Sequence, residues 1–302
     1  MTRTPHNPPE TALLSITDLE QLQYKTTEQN LRSRHHTIAP TIGQRPSIFR
    51  GHGMELEDVR AYQSGDDVRH MDWRATARSG KPTMKVFREE RSQGLFLMID
   101  RRASMNFGTR GELKATTAAR SAAILAFSAL AAHDWVAGMI VETDEQFFSG
   151  VRDINNVLRL LQAASAPLPK ADKHAIPMST LLIQINRAAE RGASIFLISD
   201  FKDLREEHAP LLLQLTTAHE VWALHVIDPA EEMLPAAGKL RMASPNGETF
   251  VIDTTNASLR ARYAQAMTKQ HADLARLFSR TGITLQRLYT HKDTFEQLTC
   301  HG

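Results

Sequence analysis

Two carboxylates in this sequence stand where a carboxylate can do chemistry. Asp100 closes the apolar run Leu95-Phe96-Leu97-Met98-Ile99, and Asp200 closes Ser194-Ile195-Phe196-Leu197-Ile198-Ser199. Unbroken apolar runs of this length read as strands buried on both faces, and in a parallel sheet ligands gather at the carboxyl ends of the strands. The loop after the first acid reads Asp100-Arg101-Arg102-Ala103-Ser104-Met105, and Ser179-Thr180 precedes the second strand at the start of a helical segment. Carboxylate and hydroxyl oxygens converging on one sheet edge are the ligand chemistry of a hard cation such as Mg²⁺, with water completing the octahedron. The same residues also have a structural reading, in which a strand-terminal Asp caps a helix or a loop.

Arg102 bears on the choice, because a guanidinium has no lone pair to donate and keeps its charge. Pointing outward, it leaves a weakened metal site. Pointing inward, it pairs with Asp100 or Asp200, takes the cation's place and leaves a degenerate site held by a salt bridge. Mg²⁺ is therefore a disfavoured cofactor.

The elements that must position these residues follow from periodicity. The first apolar run leads into an alanine-rich helix over about Glu112–His133, then a strand at Val136–Val141 and a short one around Gln146–Phe148. Helices follow at Ile154–Ala164 and Ser179–Arg191, the latter closed by Gly192. Beyond the second acid lie a helix at Leu211–Thr217, a strand at Val221–Asp228, an edge strand at Phe250–Ile252, a helix at Leu259–Arg280 and a last strand at Ile283–Leu288. Strands that are apolar throughout and alternate with helices predict an α/β fold with a doubly wound, mostly parallel sheet.

Upstream, Leu19–Arg34 reads as a short amphipathic helix, and the segment from Gly53 to Arg91 interleaves acids and arginines. Arg60, Tyr62, Gly65, Asp66, Asp67, Arg69, Asp72, Trp73 and Arg78 carry its pattern. One reading is a recognition surface or acid-rich pocket. The other is an extended arm whose arginines pair with its own acids while Tyr62 and Trp73 dock on the core. The expected division is residues 1–92 as leader, helix and arm packing on the core, and residues 93–302 as the α/β domain.

Two resemblances attach to these motifs. Asp100 and Ser104, with Thr180 (or its neighbour Ser179) and Asp200, resemble the metal-ion-dependent adhesion site of von Willebrand factor A-like (vWA-like) domains, with Arg102 replacing the middle serine. The arm series running into such a domain, with Asp228-Pro229-Ala230-Glu231 and Leu234-Pro235 further on, resembles a bacterial domain-of-unknown-function family, number fifty-eight. That resemblance implies a non-enzymatic protein-interaction module, an adaptor or partner of a MoxR-type AAA+ ATPase, with a degenerate metal site.

The alternative is a Mg²⁺-dependent phosphoryl hydrolase using a strand-terminal Asp as nucleophile. Haloacid-dehalogenase-type enzymes need an acid two residues beyond Asp100, where this sequence has Arg102, and no lysine in a matching position is evident. The chain also has neither a complete phosphate-loop pattern around Gly80-Lys81 nor a Gly-x-Ser-x-Gly elbow.

Composition narrows the classes further. Lys+Arg 36 against Asp+Glu 34 leaves +2, which argues against a dedicated nucleic-acid surface. With 302 residues, 42% of them hydrophobic, the chain can bury a core without disulfides or structural metal. The lone Cys300 excludes an internal disulfide framework. No apolar stretch reaches the ~18 residues of a membrane span, and the first residues lack a signal core. The expected location is the cytoplasm.

Overall fold

Every residue of the first apolar run is buried, and its side chains alternate between two cores. In the computed structural model, which describes residues 12–36, 56–62, 71–87, 94–168, 176–243 and 249–299, β3 (Leu95–Asp100) sends Leu95, Leu97 and Ile99 to one face and Phe96 and Met98 to the other. Period-two geometry makes this separation automatic.

β3 lies in a six-stranded sheet with β4 (Val136–Val141), β5 (Glu145–Val151), β6 (Ser194–Ser199), β7 (Glu220–Ile227) and β10 (Thr284–Tyr289), in the order β10-β7-β6-β3-β4-β5. All neighbours pair in parallel except β5, which turns back antiparallel on β4. The direction of winding reverses between β3 and β6, so the switch-point crevice of a doubly wound sheet opens where Asp100 and Asp200 end their strands.

On the first face sit α3 (Lys114–Ala131), α4 (Ile154–Ser165), α9 (Thr294–Thr299) and α1 (Ile16–His36), whose Leu19 and Leu22 join this core. α3 is central and touches α1, α4 and α9 as well as β3, β4, β6 and β7. That crowding explains its run of small residues, with Ala115, Ala118, Ala122, Ala123 and Ala126 all fully buried. The second face carries α5 (Met178–Ala188), α6 (Ala209–Ala218) and the C-terminal half of α8 (Ala257–Arg280), through Leu181, Ile185, Leu212, Leu274 and Phe278. Fully burying each such side chain contributes about 1.5–3 kcal/mol.

β8 (Lys239–Ala243) and β9 (Thr249–Asp253) form a separate antiparallel hairpin. The Phe250–Ile252 segment is thus a strand, but it pairs with β8 rather than along the edge of the main sheet. Among the described residues no helix is long and apolar enough to cross a membrane.

The segment 50–92 forms a compact unit of its own, while α1 belongs with the sheet. In this smaller unit β1 (Leu56–Ala61) pairs antiparallel with β2 (Thr83–Phe87), and α2 (Trp73–Ser79) lies between them in sequence. Asp72 caps α2 by accepting from the backbone N–H of Arg74 and Ala75, each at 3.0 Å. Gly80 closes it with φ +67, a conformation that favours glycine.

Trp73, an expected anchor, is 67% exposed, and Tyr62 is also exposed. Arg78 lies in the last turn of α2, its Nε donating to the Arg74 carbonyl. Arg60 pairs with Met84 in the ladder. Gly65, Asp66, Asp67 and Arg69, with the Arg60 side chain, lie outside the described residues.

Candidate functional site

Arg101 and Arg102 leave the end of β3 in different directions. The Arg101 guanidinium is fully buried and caps the end of α4, its Nη1 donating to the carbonyls of Ala163 (2.7 Å) and Ala164 (2.5 Å). Its Nη2 reaches the carbonyls of Ala166 (2.7 Å) and Pro167 (3.1 Å), and Glu142 pairs with Nε at 2.7 Å. A cation among the last carbonyls of a helix suits both their unfilled acceptors and the helix dipole.

Arg102 turns inward to Asp100, which is fully buried. Nε donates to Asp100 Oδ1 at 3.0 Å and Nη2 to Oδ2 at 2.8 Å, while the Arg102 backbone N–H meets Oδ1 at 2.9 Å. The same guanidinium grips Asp203, with Nη1 at 2.6 Å from Oδ2 and Nη2 at 3.0 Å from Oδ1, and Nη1 also donates to the Ile176 carbonyl at 3.1 Å. Guanidinium has five N–H donors, and this chain engages all of them. Burial weighs against the Arg102 charge, but Asp100 and then Asp203 outweigh it and raise its pKa. Ser199 adds a hydroxyl donor to Asp100 Oδ2 at 2.6 Å and accepts the Phe201 backbone N–H at 3.0 Å.

Asp200 belongs to a second, neighbouring cluster. Lys114, the first residue of α3, places its fully buried Nζ 2.7 Å from Asp200 Oδ2 and 2.7 Å from Glu231 Oε1. Lys202 places its own Nζ 2.6 Å from Glu231 and 3.7 Å from Asp200. Ser104, in the short 3-10 turn Ala103–Met105, lies beside Asp200, whose Oδ1 accepts the Lys202 backbone N–H at 3.3 Å. Burial opposes ionisation of Asp200, but Lys114, Lys202 and Ser104 outweigh it and hold the carboxyl below its usual range. Burial likewise opposes the Lys202 charge, and Asp200 and Glu231 reverse that effect and raise its pKa.

Glu231 is placed by local sequence. Asp228-Pro229-Ala230-Glu231 starts the one-turn helix α7 (Pro229–Glu232) with proline at its first position and a capping box. Asp228 accepts from the Ala230 N–H at 2.9 Å, and Glu231 Oε2 accepts from the Asp228 N–H at 3.2 Å. The other Glu231 oxygen is thereby turned to the lysines. Asp228 is itself buried and accepts from Thr109 N (2.7 Å), Thr109 Oγ1 (2.5 Å) and Thr290 Oγ1 (2.9 Å). Three adjacent parallel strands thus end in buried aspartates, each held by different donors.

The structure brings Asp100 to Arg102 and Asp200 to Ser104. It does not bring Thr180 to either carboxylate. Thr180 lies on the exposed side of α5, whose Met178, Leu181, Leu182 and Ile185 face the core, and among the described residues neither it nor Ser179 hydrogen-bonds to Asp100 or Asp200. Arg102 does not pair with Asp200 but with Asp100 and Asp203, and no donor is left to grip a partner's carboxylate. Asp203, Ser199, Lys114, Lys202 and Glu231 are site residues that sequence reasoning missed.

A divalent ion, implied by the adhesion-site resemblance, does not fit these residues as they stand. Both Asp100 oxygens already accept N–H or O–H donors, and Lys114 contacts the Asp200 and Glu231 oxygens that would ligate a metal. Among the described residues no group of three His, Cys, Asp or Glu side chains is placed to hold one.

Comparison with known proteins places the chain in a family. A family model described as "Protein of unknown function DUF58" matches residues 58–273. Uncharacterized proteins of Mycobacterium bovis and Mycobacterium tuberculosis are each 28% identical over 255 residues, covering 83% of this chain and 79% of theirs. The uncharacterized protein YeaD of Bacillus subtilis is 33% identical over 84 residues, 28% of this chain and 21% of its own. Among solved structures, an aerotolerance-related membrane protein from Bacteroides fragilis gives a TM-score of 0.44 at 14% identity, covering 68% of this chain and 94% of that one. BatB from Bacteroides thetaiotaomicron gives 0.39 at 14% identity, covering 63% and 98%. Since the family match runs from the first strand of the small unit into the last long helix, the chain belongs to the DUF58 family.

Proposed function

We propose that this chain is a non-catalytic protein-interaction module, a vWA-like domain with a degenerate metal-ion-dependent adhesion site that serves as adaptor or partner of a MoxR-type AAA+ ATPase. The observation that carries the non-catalytic reading is the saturation of the switch-point crevice. Asp100 is closed by Arg102 and Ser199, and Asp200 by Lys114 and the Lys202 backbone N–H. A nucleophilic carboxylate needs an oxygen open to substrate, and an adhesion-type metal needs carboxylate oxygens free to ligate. The crevice offers instead a surface whose carboxylates are already held by the chain's own donors. The choice of an AAA+ partner rests on the family resemblance.

The test is capture of the tagged protein from its native lysate with Mg²⁺ and ATP, read by mass spectrometry. Enrichment of an AAA+ ATPase supports the proposal, and absence of any ATPase at good expression overturns that choice of partner. Turnover of an aryl phosphate, abolished by Asp100→Asn, would replace the interaction reading with the hydrolase.

A further inference from the structure

The proposed degenerate site raises the question of what replaces its ion. The sequence points to Arg102, but the geometry of the second cluster points elsewhere. We propose that Lys114 and Lys202 together stand in for one divalent cation between Asp200 and Glu231, so that removing both ammonium groups opens a divalent-cation site.

Charge is the first argument. Asp200 and Glu231 bring two negative charges, and the two lysines bring the matching two positive charges, with each Nζ facing both carboxylates. One divalent ion would give the same balance. Placement is the second. Lys114 is the first residue of α3, where the helix dipole disfavours a cation, and its side chain has no exposed surface. Helix stability does not account for a buried ammonium at that position, whereas two carboxylates at 2.7 Å do.

Donor chemistry is the third argument. With the lysines removed, two carboxylates remain as oxygen ligands, with the Ser104 hydroxyl beside Asp200, a hard set that water can complete. Ca²⁺ accepts a flexible oxygen shell of variable number, whereas Mg²⁺ demands a near-ideal octahedron, which a site shaped around two ammonium groups does not preform. The larger ion is therefore the better probe. In the natural protein, this edge keeps its shape without any ion.

The inference rests on reading this edge as a degenerate cation site, and its experiment reads ion-dependent stability, so it fails separately from the choice of partner. Thermal unfolding is followed for the wild type, the double variant Lys114→Ala/Lys202→Ala, and the same pair with Asp200→Asn, each in EDTA, millimolar CaCl₂ and millimolar MgCl₂. The wild type is expected to melt identically in all three. The double variant is expected to melt several degrees higher in CaCl₂ than in EDTA, with a smaller rise in MgCl₂, and Asp200→Asn is expected to abolish the rise.

A double variant that ignores both ions, or a rise that survives Asp200→Asn, overturns the proposal. So does Asp200-dependent ion binding by the wild type. If the double variant does not fold in EDTA, refolding from denaturant in CaCl₂ is expected to restore its native circular dichroism, and no recovery overturns the proposal.

Discussion

Arg102 and Asp100 meet side-on, two parallel N–H···O bonds of 3.0 and 2.8 Å joining a guanidinium to a carboxylate only two residues before it. Both are buried, so Arg102→Ala leaves the Asp100 carboxylate without its counter-ion inside the protein. Arg102→Ala is expected to cost about 3–5 kcal/mol, the range for breaking a buried pair. Asp203→Asn, at a half-exposed partner, is expected to cost under about 1 kcal/mol. Arg102→Lys is expected to fall between them, since an ammonium cannot reproduce the fork. Urea denaturation of the three variants gives the order, and equal losses for Arg102→Ala and Asp203→Asn would contradict it.

His225 sets a pH dependence. Burial on β7, then the neighbouring His271, push its pKa down to about 3, from about 6.5 in an unfolded chain. Between those values the unfolded state binds a proton that the folded state does not, so stability falls as pH drops through this window. The slope from this group is about 1.4 kcal/mol per pH unit. Asp200 adds to the loss lower down. Its folded pKa lies below the unfolded value of about 3.9, so the stability it contributes is present above that pH and lost beneath it. His225→Phe is expected to flatten the decline between about pH 6.5 and 4 and to leave the acid limb intact. An unchanged slope in stability-versus-pH data would show that the imidazole does not cause it.

His133 lies just past the end of α3 with φ 62, a left-handed conformation that a side chain rarely adopts, and its side chain is exposed. Glycine adopts it without strain. His133→Gly is expected to raise stability by several tenths of a kcal/mol up to about 1, read as a higher melting temperature.

Gly94 has no such backbone requirement; its reason is space. A Cβ there would lie 1.7 Å from the Trp135 ring, closer than any real contact. Gly94→Ala is expected to displace the indole and cost about 1–3 kcal/mol. Trp135→Phe in the same background is expected to recover part of that loss, as a double-mutant cycle would measure.

The buried strands were legible because β3 and β6 are apolar at every position, and in a sheet covered on both faces nothing else is needed to mark them. α5 was legible too, and its apolar spacing of Met178, Leu181, Leu182 and Ile185 already turned Thr180 away from the core. Other features depend on contacts that no local pattern records. Lys114 reads as an ordinary exposed residue at a helix start until Glu231, separated from it by 117 positions, is folded over it. Phe250–Ile252 reads as a strand, but composition does not say which strand it joins. That Arg102 would turn inward was one of two readings until Asp203 supplied the second half of its cage.

The divergence of Arg101 and Arg102 has a kinetic consequence. Arg101 is anchored to α4 across 62 positions and Arg102 to the loop after β6 across 101, one within each half of the wound sheet. Neither guanidinium can be desolvated until its half has docked, and closing such distant contacts comes at an entropic cost that local contacts avoid. The edge at Asp100 is therefore assembled only once both halves are in place, and slow amide exchange in this loop would mark the fully folded chain.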